Sequence, residues 1–196
     1  LQKTEELLPE NHYPDNPVLL FLPAFNEEEA VGDCIDRVPH TVCGLPVQCL
    51  VIDDGSTDKS AEVARKAGAE VISLESNQGL GAAVRVGLSE GVKRQSSAIV
   101  FADADGEYPP EELENLVAPI IGGKADYVVG SRFLGDIEFM RPHRRFGNVV
   151  LTRILSLVAR RKITDGQSGY RAFSPRAASS AEVIHDFNYA QIITLD

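Results

Sequence analysis

The sequence is short of the features that mark nucleic-acid binders, disulfide scaffolds and membrane spans. Only 19 of its 196 residues are Lys or Arg, against 29 Asp and Glu. The resulting net charge of −10 excludes a general nucleic-acid binder. Its three cysteines, Cys34, Cys43 and Cys49, are an odd number without CxxC spacing. Neither a disulfide framework nor a zinc site is encoded, and reduced thiols are expected. No apolar run reaches the roughly 18–20 residues that a spanning helix needs. The longest, Pro17 to Phe25, is strand-sized, and no signal peptide precedes it. Internal repeats, low-complexity tracts and linkers are also missing. The chain starts at Leu1 and ends at Asp196 inside an expected helix, so truncation at the C-terminus is expected, and an anchor beyond either end is left open.

What is present suits one globular domain. A content of 43% hydrophobic and 24% charged residues over this length can bury a core without staples. The charge is uneven. Between Arg141 and Lys162 stand seven basic residues (Arg141, Arg144, Arg145, Arg153, Arg160, Arg161 and Lys162) and no acid. The remainder therefore carries 12 − 29 = −17. A basic island in an acidic protein needs an explanation.

Short apolar runs alternate with helical patterns. Strands are expected at Val18–Pro23, Val47–Asp53, Glu70–Leu74, Ala98–Ala102, Ala125–Ser131 and near Ser168–Phe173. Helices are expected at Glu27–Arg37 behind an Asn26 cap, at Asp58–Ala67 opened by Ser56 and Thr57, around Gly81–Arg94, from Pro109 to about Ile121, and at about Phe146–Arg161. Such alternation implies an α/β fold, a mostly parallel central sheet with helices on both faces. Ligands of such sheets bind at the carboxyl ends of the strands.

Three of those ends carry acids, at Asn26–Glu28, Asp53–Asp58 and Asp103–Glu107. Asp103 and Asp105, with Glu107 two further on, form a carboxylate cluster whose simplest stabiliser is a hard divalent cation, Mg²⁺ or Mn²⁺. An ion held by two or three carboxylates keeps positions for substrate phosphates. On its own the same pattern is an acidic turn at a helix start. Asp53 and Asp54 fit either a turn or an acceptor for a base N–H or ribose hydroxyl. Residues 77–83, NQGLGAA, put small residues where backbone can approach a ligand. They are not GxGxxG, so a Rossmann dinucleotide site is excluded on spacing.

Taken in order, LPAFNEE (22–28), VIDDGSTD (51–58), NQGLGAA (77–83), FADADGEYPPE (101–111), VVGSRF (128–133) and TDGQSGYRAF (164–173) resemble the family 2 glycosyltransferases of the GT-A fold. The closer resemblance is to their polyprenyl- and dolichyl-phosphate sugar synthase branch. It implies a single catalytic domain over 1–196, with a nucleotide-sugar half at about 17–132 and an acceptor half at about 133–196. Pro23, Phe25, Glu27, Ile52, Asp53 and Asp54 would form the base and ribose pocket. Gly79, Ala104 and Arg132 would join them around the nucleotide sugar. Asp103, Asp105 and Glu107 would hold the metal, Mg²⁺ or Mn²⁺, although Glu107 stands where the branch more often has Gln. Asp105, Arg132 and Arg145 would be catalytic, and Arg144, Arg145 and Ser168 would hold the acceptor phosphate. Asp165, Gln167, Ser168, Gly169 and Arg171 would close the site as a wall.

The basic island then reads as a lipid-phosphate contact. In the helix at about 146–161, Val150, Leu151, Ile154, Leu155 and Val158 share one face, and basic residues flank it. This suits an interfacial helix at anionic headgroups, and equally an ordinary core-facing helix. The expected partners are a nucleotide sugar, a polyprenyl phosphate and a membrane surface. The expected location is cytoplasmic, peripheral at the cytoplasmic face of the membrane. The expected reaction is metal-dependent, inverting transfer of a sugar from GDP-mannose or a UDP-hexose. A soluble or polysaccharide acceptor is the alternative within the class, though no QxxRW-type signature of processive synthases is present. A non-catalytic nucleotide-binding regulator and a receiver-like domain using Asp53 or Asp54 are the alternatives outside it.

Overall fold

A computed structural model describes residues 13, 15–106, 108–130, 168–181 and 183. The stretch 18–24 is apolar at every position and buried throughout, the signature of a parallel strand covered on both faces. It forms β1 (Val18–Ala24). The chain continues through α1 (Val31–Asp36), β2 (Thr41–Val42), β3 (Leu45–Asp53), α2 (Ser60–Lys66), β4 (Glu70–Ser73), α3 (Leu80–Lys93) and β5 (Ile99–Phe101). A 3₁₀ turn at Pro110–Glu112 leads into α4 (Leu113–Ile121), followed by β6 (Tyr127–Val129), β7 (Arg171–Phe173) and α5 (Pro175–Ser180).

The sheet runs β2-β3-β1-β5-β7-β6, with β4 also paired to β3. β1 is parallel to β3 and to β5, and β3 is parallel to β4. β7 runs antiparallel between β5 and β6, and β2 is antiparallel to β3. The expected mostly parallel sheet is therefore present in five of its seven strands, while β7, inserted near the far edge, and the short β2 run against them. Chain order moves outward from β1 through β3 to β4, then returns to place β5 on the other side of β1. The gap between β1 and β5 is thus the topological switch point, where ligands of open α/β sheets bind.

Alternation along the strands divides the core in two. Val18, Leu20, Leu22, Val51 and Val100 face α1, α2 and α4. Leu19, Phe21, Leu50, Ile52, Ile99 and Phe101 face α3 and α5. α3 lies unusually close to the sheet. A Cβ at Gly87 would meet the Phe21 ring at 2.2 Å, and one at Gly91 would meet Ile99 at 2.5 Å. Glycines four apart on one helix face allow that approach.

Several boundaries differ from the sequence reading. α1 begins at Val31 behind Ala30, with no side-chain cap. Asn26 sits at φ 57°, in the left-handed region, and its side chain crosses to another loop. α2 likewise begins at Ser60, two residues later than expected. The short β2 and α5 were not expected at all. The expected helix at about 146–161, and with it the proposed membrane face, lies outside the described residues. The three cysteines are free. Burial pushes the thiols of Cys34 and Cys49 up to about 11 and about 12, so neither is a nucleophile at neutral pH.

Candidate active site

The loops that follow β1 and β3 are laced together. Asn26 N–H donates to Ser56 Oγ at 3.0 Å, and Asn26 Oδ1 accepts from Thr57 N–H at 2.9 Å. Glu27 N–H donates to Ser60 Oγ at 2.7 Å, and Glu28 N–H to Asp58 Oδ2 at 3.2 Å. In return Glu28 Oε2 accepts from Lys59 N–H at 2.9 Å. Asp53 Oδ1 accepts from Ser56 N–H at 3.0 Å, which closes the turn on itself. The polar residues of both motifs satisfy backbone donors that would otherwise be orphaned at two strand ends.

Asp54 ties in the third loop. Its Oδ1 accepts from Gln78 N–H and its Oδ2 from Gly79 N–H, both at 2.8 Å. Gly55, at φ 71°, lies against the Ser76–Asn77 peptide, where a Cβ would be 2.5 Å from the Ser76 carbonyl carbon. Gly79, at φ 91°, then turns the chain into α3. The amino-terminal end of a 14-residue helix is thereby held at the carboxyl edge of the sheet.

Across the switch point, β5 ends at Phe101 and releases Asp103, Ala104 and Asp105. Ala104 is buried and Asp105 is exposed. Gly169, just ahead of β7, packs directly on Asp103, since a Cβ there would stand 2.0 Å from Asp103 Oδ2. Gly169 N–H donates to Tyr108 Oη at 2.7 Å. Arg171 is fully buried and donates to Ser168 O at 2.7 Å and to Tyr127 Oη at 2.9 Å.

These loops enclose a cleft of about 400 Å³ lined by Pro23, Ala24, Phe25, Glu27, Asp54, Asn77, Gly79, Leu80, Ala83, Asp103, Ala104 and Asp105. Phe25 and Leu80 are the exposed large apolar side chains of the described residues, and both lie on this cleft. Eight residues singled out from sequence come together here: Pro23, Phe25, Glu27, Asp54, Gly79, Asp103, Ala104 and Asp105. Ile52, Asp53 and Ser168 do not line it. Ile52 is fully buried against α3, Asp53 closes its own turn, and buried Ser168 accepts from Tyr170 N–H at 3.1 Å. Glu107, Arg132, Arg144, Arg145, Asp165 and Gln167 lie outside the described residues. Ala24, Asn77, Leu80 and Ala83 were not anticipated as lining residues. All four fall inside the quoted motifs, and their position one helical turn or one strand step from a named residue was the available signal.

The cleft is electrostatically crowded. Burial, then the neighbouring carboxylates of Asp105 and Asp58, push the Glu27 carboxyl above its ordinary value of 4.5. A cation between such groups would relieve the repulsion. Asp103 and Asp105 offer hard oxygen donors of the kind Mg²⁺ and Mn²⁺ take. Among the described residues no group of three His, Cys, Asp or Glu converges to hold an ion unaided. The donor set fits a cation that shares its coordination with a bound diphosphate.

Comparison with known proteins places the chain. Residues 20–180 match Glycosyl transferase family 2. The chain belongs to that family. It is 30% identical over 183 residues to the UDP-N-acetylglucosamine–dolichyl-phosphate N-acetylglucosaminyltransferase of Methanococcus voltae, covering 83% of this chain and 71% of that protein. It is 34% identical over 171 residues to the polyprenol monophosphomannose synthase of Mycolicibacterium smegmatis, covering 82% and 62%. Both similarities point to the dolichyl- and polyprenyl-phosphate branch that the motifs imply. The glucosyl-3-phosphoglycerate synthase of Mycobacterium tuberculosis, solved with Mn²⁺, UDP-glucose and phosphoglyceric acid, superposes with a TM-score of 0.64 at 25% identity. That match covers 83% of this chain and 57% of the solved one, so the chain spans little more than half of that structure. The GT-A fold and the standing of the family as hexosyltransferases follow, and the receiver-like reading is excluded.

Proposed function

We propose that the protein transfers a hexose from a nucleoside-diphosphate sugar to a polyprenyl phosphate, with inversion at the anomeric carbon and with the help of a divalent cation. The observation that carries the reading is the cleft at the β1/β5 switch point. It joins an apolar mouth (Pro23, Phe25, Leu80), a helix start and four carboxylates (Glu27, Asp54, Asp103 and Asp105) within a volume suited to a small-molecule ligand. Phe25 and Leu80 offer apolar surface to the base. Glu27 faces the sugar or ribose hydroxyls. Asp103 and Asp105 would hold Mg²⁺ or Mn²⁺, which when bound neutralises charge on the departing nucleoside diphosphate. Arg132 would contact the same phosphates, and Arg144 and Arg145 the acceptor.

A phosphate acceptor is already anionic at neutral pH, so the reaction needs no strong general base. In keeping with that, no histidine is among the described residues that line the cleft. Among the described residues no helix is long and apolar enough to cross a membrane. Contact with the lipid surface falls to the basic segment 141–162, whose charge suits anionic headgroups, and the enzyme works peripherally at the cytoplasmic face.

The phosphoglyceric acid bound by the solved structural relative favours one second reading, a small soluble phosphorylated acceptor. The two are separated by supplying the purified protein with GDP-mannose or UDP-hexoses, Mn²⁺, and either a short polyprenyl phosphate or 3-phosphoglycerate, with products read by mass spectrometry. A hexosyl-phosphoryl lipid supports the proposal. Sugar found only on the soluble acceptor replaces it with the second reading.

A further inference from the structure

The register of β5 and β7 has a consequence for the DxD acids. In that antiparallel pair Phe101 stands opposite Arg171, and each step forward on one strand is a step back on the other. Two steps past the pair bring Asp103 opposite Gly169, before β7 begins. The packing agrees, because a Cβ on Gly169 would lie 2.0 Å from Asp103 Oδ2 and 2.7 Å from its Cγ. The Asp103 carboxylate therefore rests on the bare Cα of Gly169, and any side chain at 169 would displace it.

Gly169 has no side chain to anchor itself, and backbone pairing with its neighbours stops at Tyr170, whose carbonyl accepts from Gly130 N–H at 2.8 Å. Its anchor is Tyr108, whose Oη accepts the Gly169 N–H at 2.7 Å. The Tyr108 ring is 5% exposed and packs on Tyr170 with centroids 5.6 Å apart, so its reach is fixed. Tyr108 comes from the same loop as Asp103 and Asp105. The loop thus emits the two acids and then reaches back with a tyrosine to fasten the backbone on which the first acid lies.

We infer that Tyr108 and Gly169 form a clasp that fixes the orientation of the Asp103 carboxylate toward a divalent cation. Tyr108 is a positioning residue: it acts on the ion through Gly169 and Asp103. The inference rests on the assignment of Asp103 as a metal ligand made above. Groups that orient a ligand typically contribute about 10–100-fold in metal affinity when removed.

Tyr170 supplies an internal control. Its hydroxyl is buried and has no hydrogen-bond partner, although its ring belongs to the same pair. The test follows Mn²⁺ binding by the electron paramagnetic resonance signal of the free ion, with Mn²⁺ alone and with UDP or GDP added. Tyr108→Phe keeps the ring and removes the acceptor, and should weaken Mn²⁺ binding by about tenfold. Gly169→Ala should weaken it at least as much. Tyr170→Phe should leave it within about twofold. Thermal melts check that each variant is folded. An unchanged affinity in Tyr108→Phe overturns the clasp, and so does an equal loss in Tyr170→Phe, which would show that losing either hydroxyl of the pair has the same effect. Wild-type protein that binds no Mn²⁺ with either nucleotide overturns the metal assignment and the clasp together. Bound Mn²⁺ with an unaffected Tyr108→Phe leaves that assignment standing alone.

Discussion

The loops after β1 and β3 and the loops that flank β5 and β7 both carry acids at strand ends, and they use them differently. On the first bank, Asp53, Asp54, Asp58 and Glu28 each accept backbone N–H groups, and their oxygens hold three loops in register. On the second bank, Asp105 is exposed and close enough to raise the Glu27 carboxyl, while Asp103 lies against a backbone without a side chain. The same residue type therefore ties loops together on one side and sets a carboxylate near Glu27 on the other. Asp58 does both, since it accepts two backbone donors and also raises the Glu27 carboxyl, whereas a cation at Asp105 would ease the crowding from the other side. Spacing in the sequence does not distinguish the two, because both banks read as acidic residues one or two apart after an apolar run.

Substitutions on the two banks should accordingly fail in different ways. The largest effect is expected at Asp105. Asp105→Asn should cut sugar transfer by about a thousandfold, the equivalent of roughly 4 kcal/mol of lost charge stabilisation. Its thermal melt should match wild type, because Asp105 is exposed. A substantial loss of stability would erase the distinction between the banks.

Asp54→Asn should do the reverse. The carboxamide turns an N–H₂ toward one of two backbone donors, so at least one buried hydrogen bond is lost at a cost of about 1–3 kcal/mol. Melting temperature should fall by about 2–4 °C for each kcal/mol, as read by calorimetry. Nucleotide affinity should weaken because the Gln78–Gly79 turn and the start of α3 move together. A variant with wild-type melting would show that Asp54 is not the tie it resembles.

The smallest effect is expected at Glu27, which belongs to the first bank by sequence and feels the second by charge. Its folded pKa lies above the ordinary value of 4.5, so ionising it opposes folding. That cost is present above the folded pKa and absent below the unfolded one. Glu27→Gln should therefore melt slightly higher than wild type at neutral pH, and the gap should close as pH falls through 4.5. Added Mn²⁺ should narrow the same gap by stabilising the wild type. A gap that ignores pH would contradict a Glu27 carboxyl raised by burial and by its neighbours Asp105 and Asp58.

Much of this was legible in the sequence, for physical reasons that also set the limit. Buried parallel strands are apolar at every position, so β1 and the end of β3 announce themselves, and the acids that follow mark the carboxyl edge. The direction of β7 was not legible. Arg171–Phe173 is three residues long, and nothing in so short a run says that it is inserted antiparallel between β5 and β6. Asn26, Ser56 and Thr57 were read as helix caps because those residue types cap helices. In the fold they bond across to the neighbouring loop, a partner some 30 residues away that local pattern cannot name. Ile52 and Asp53 stood within two residues of a true lining residue, but Ile52 is taken up by the core beneath α3 and Asp53 by its own turn on Ser56. The unused contact of Gly169 with Asp103 needed the register of two strands far apart in the chain.

The central claim is that the cleft binds a nucleoside diphosphate through a cation held by the second bank. Titration calorimetry of UDP and of GDP, in Mn²⁺ and in EDTA, on wild type and Asp105→Asn, tests it directly. The account predicts that at least one nucleotide binds the wild type tightly only with Mn²⁺, and that Asp105→Asn abolishes the difference between Mn²⁺ and EDTA. Equal wild-type affinity with and without the metal would contradict it.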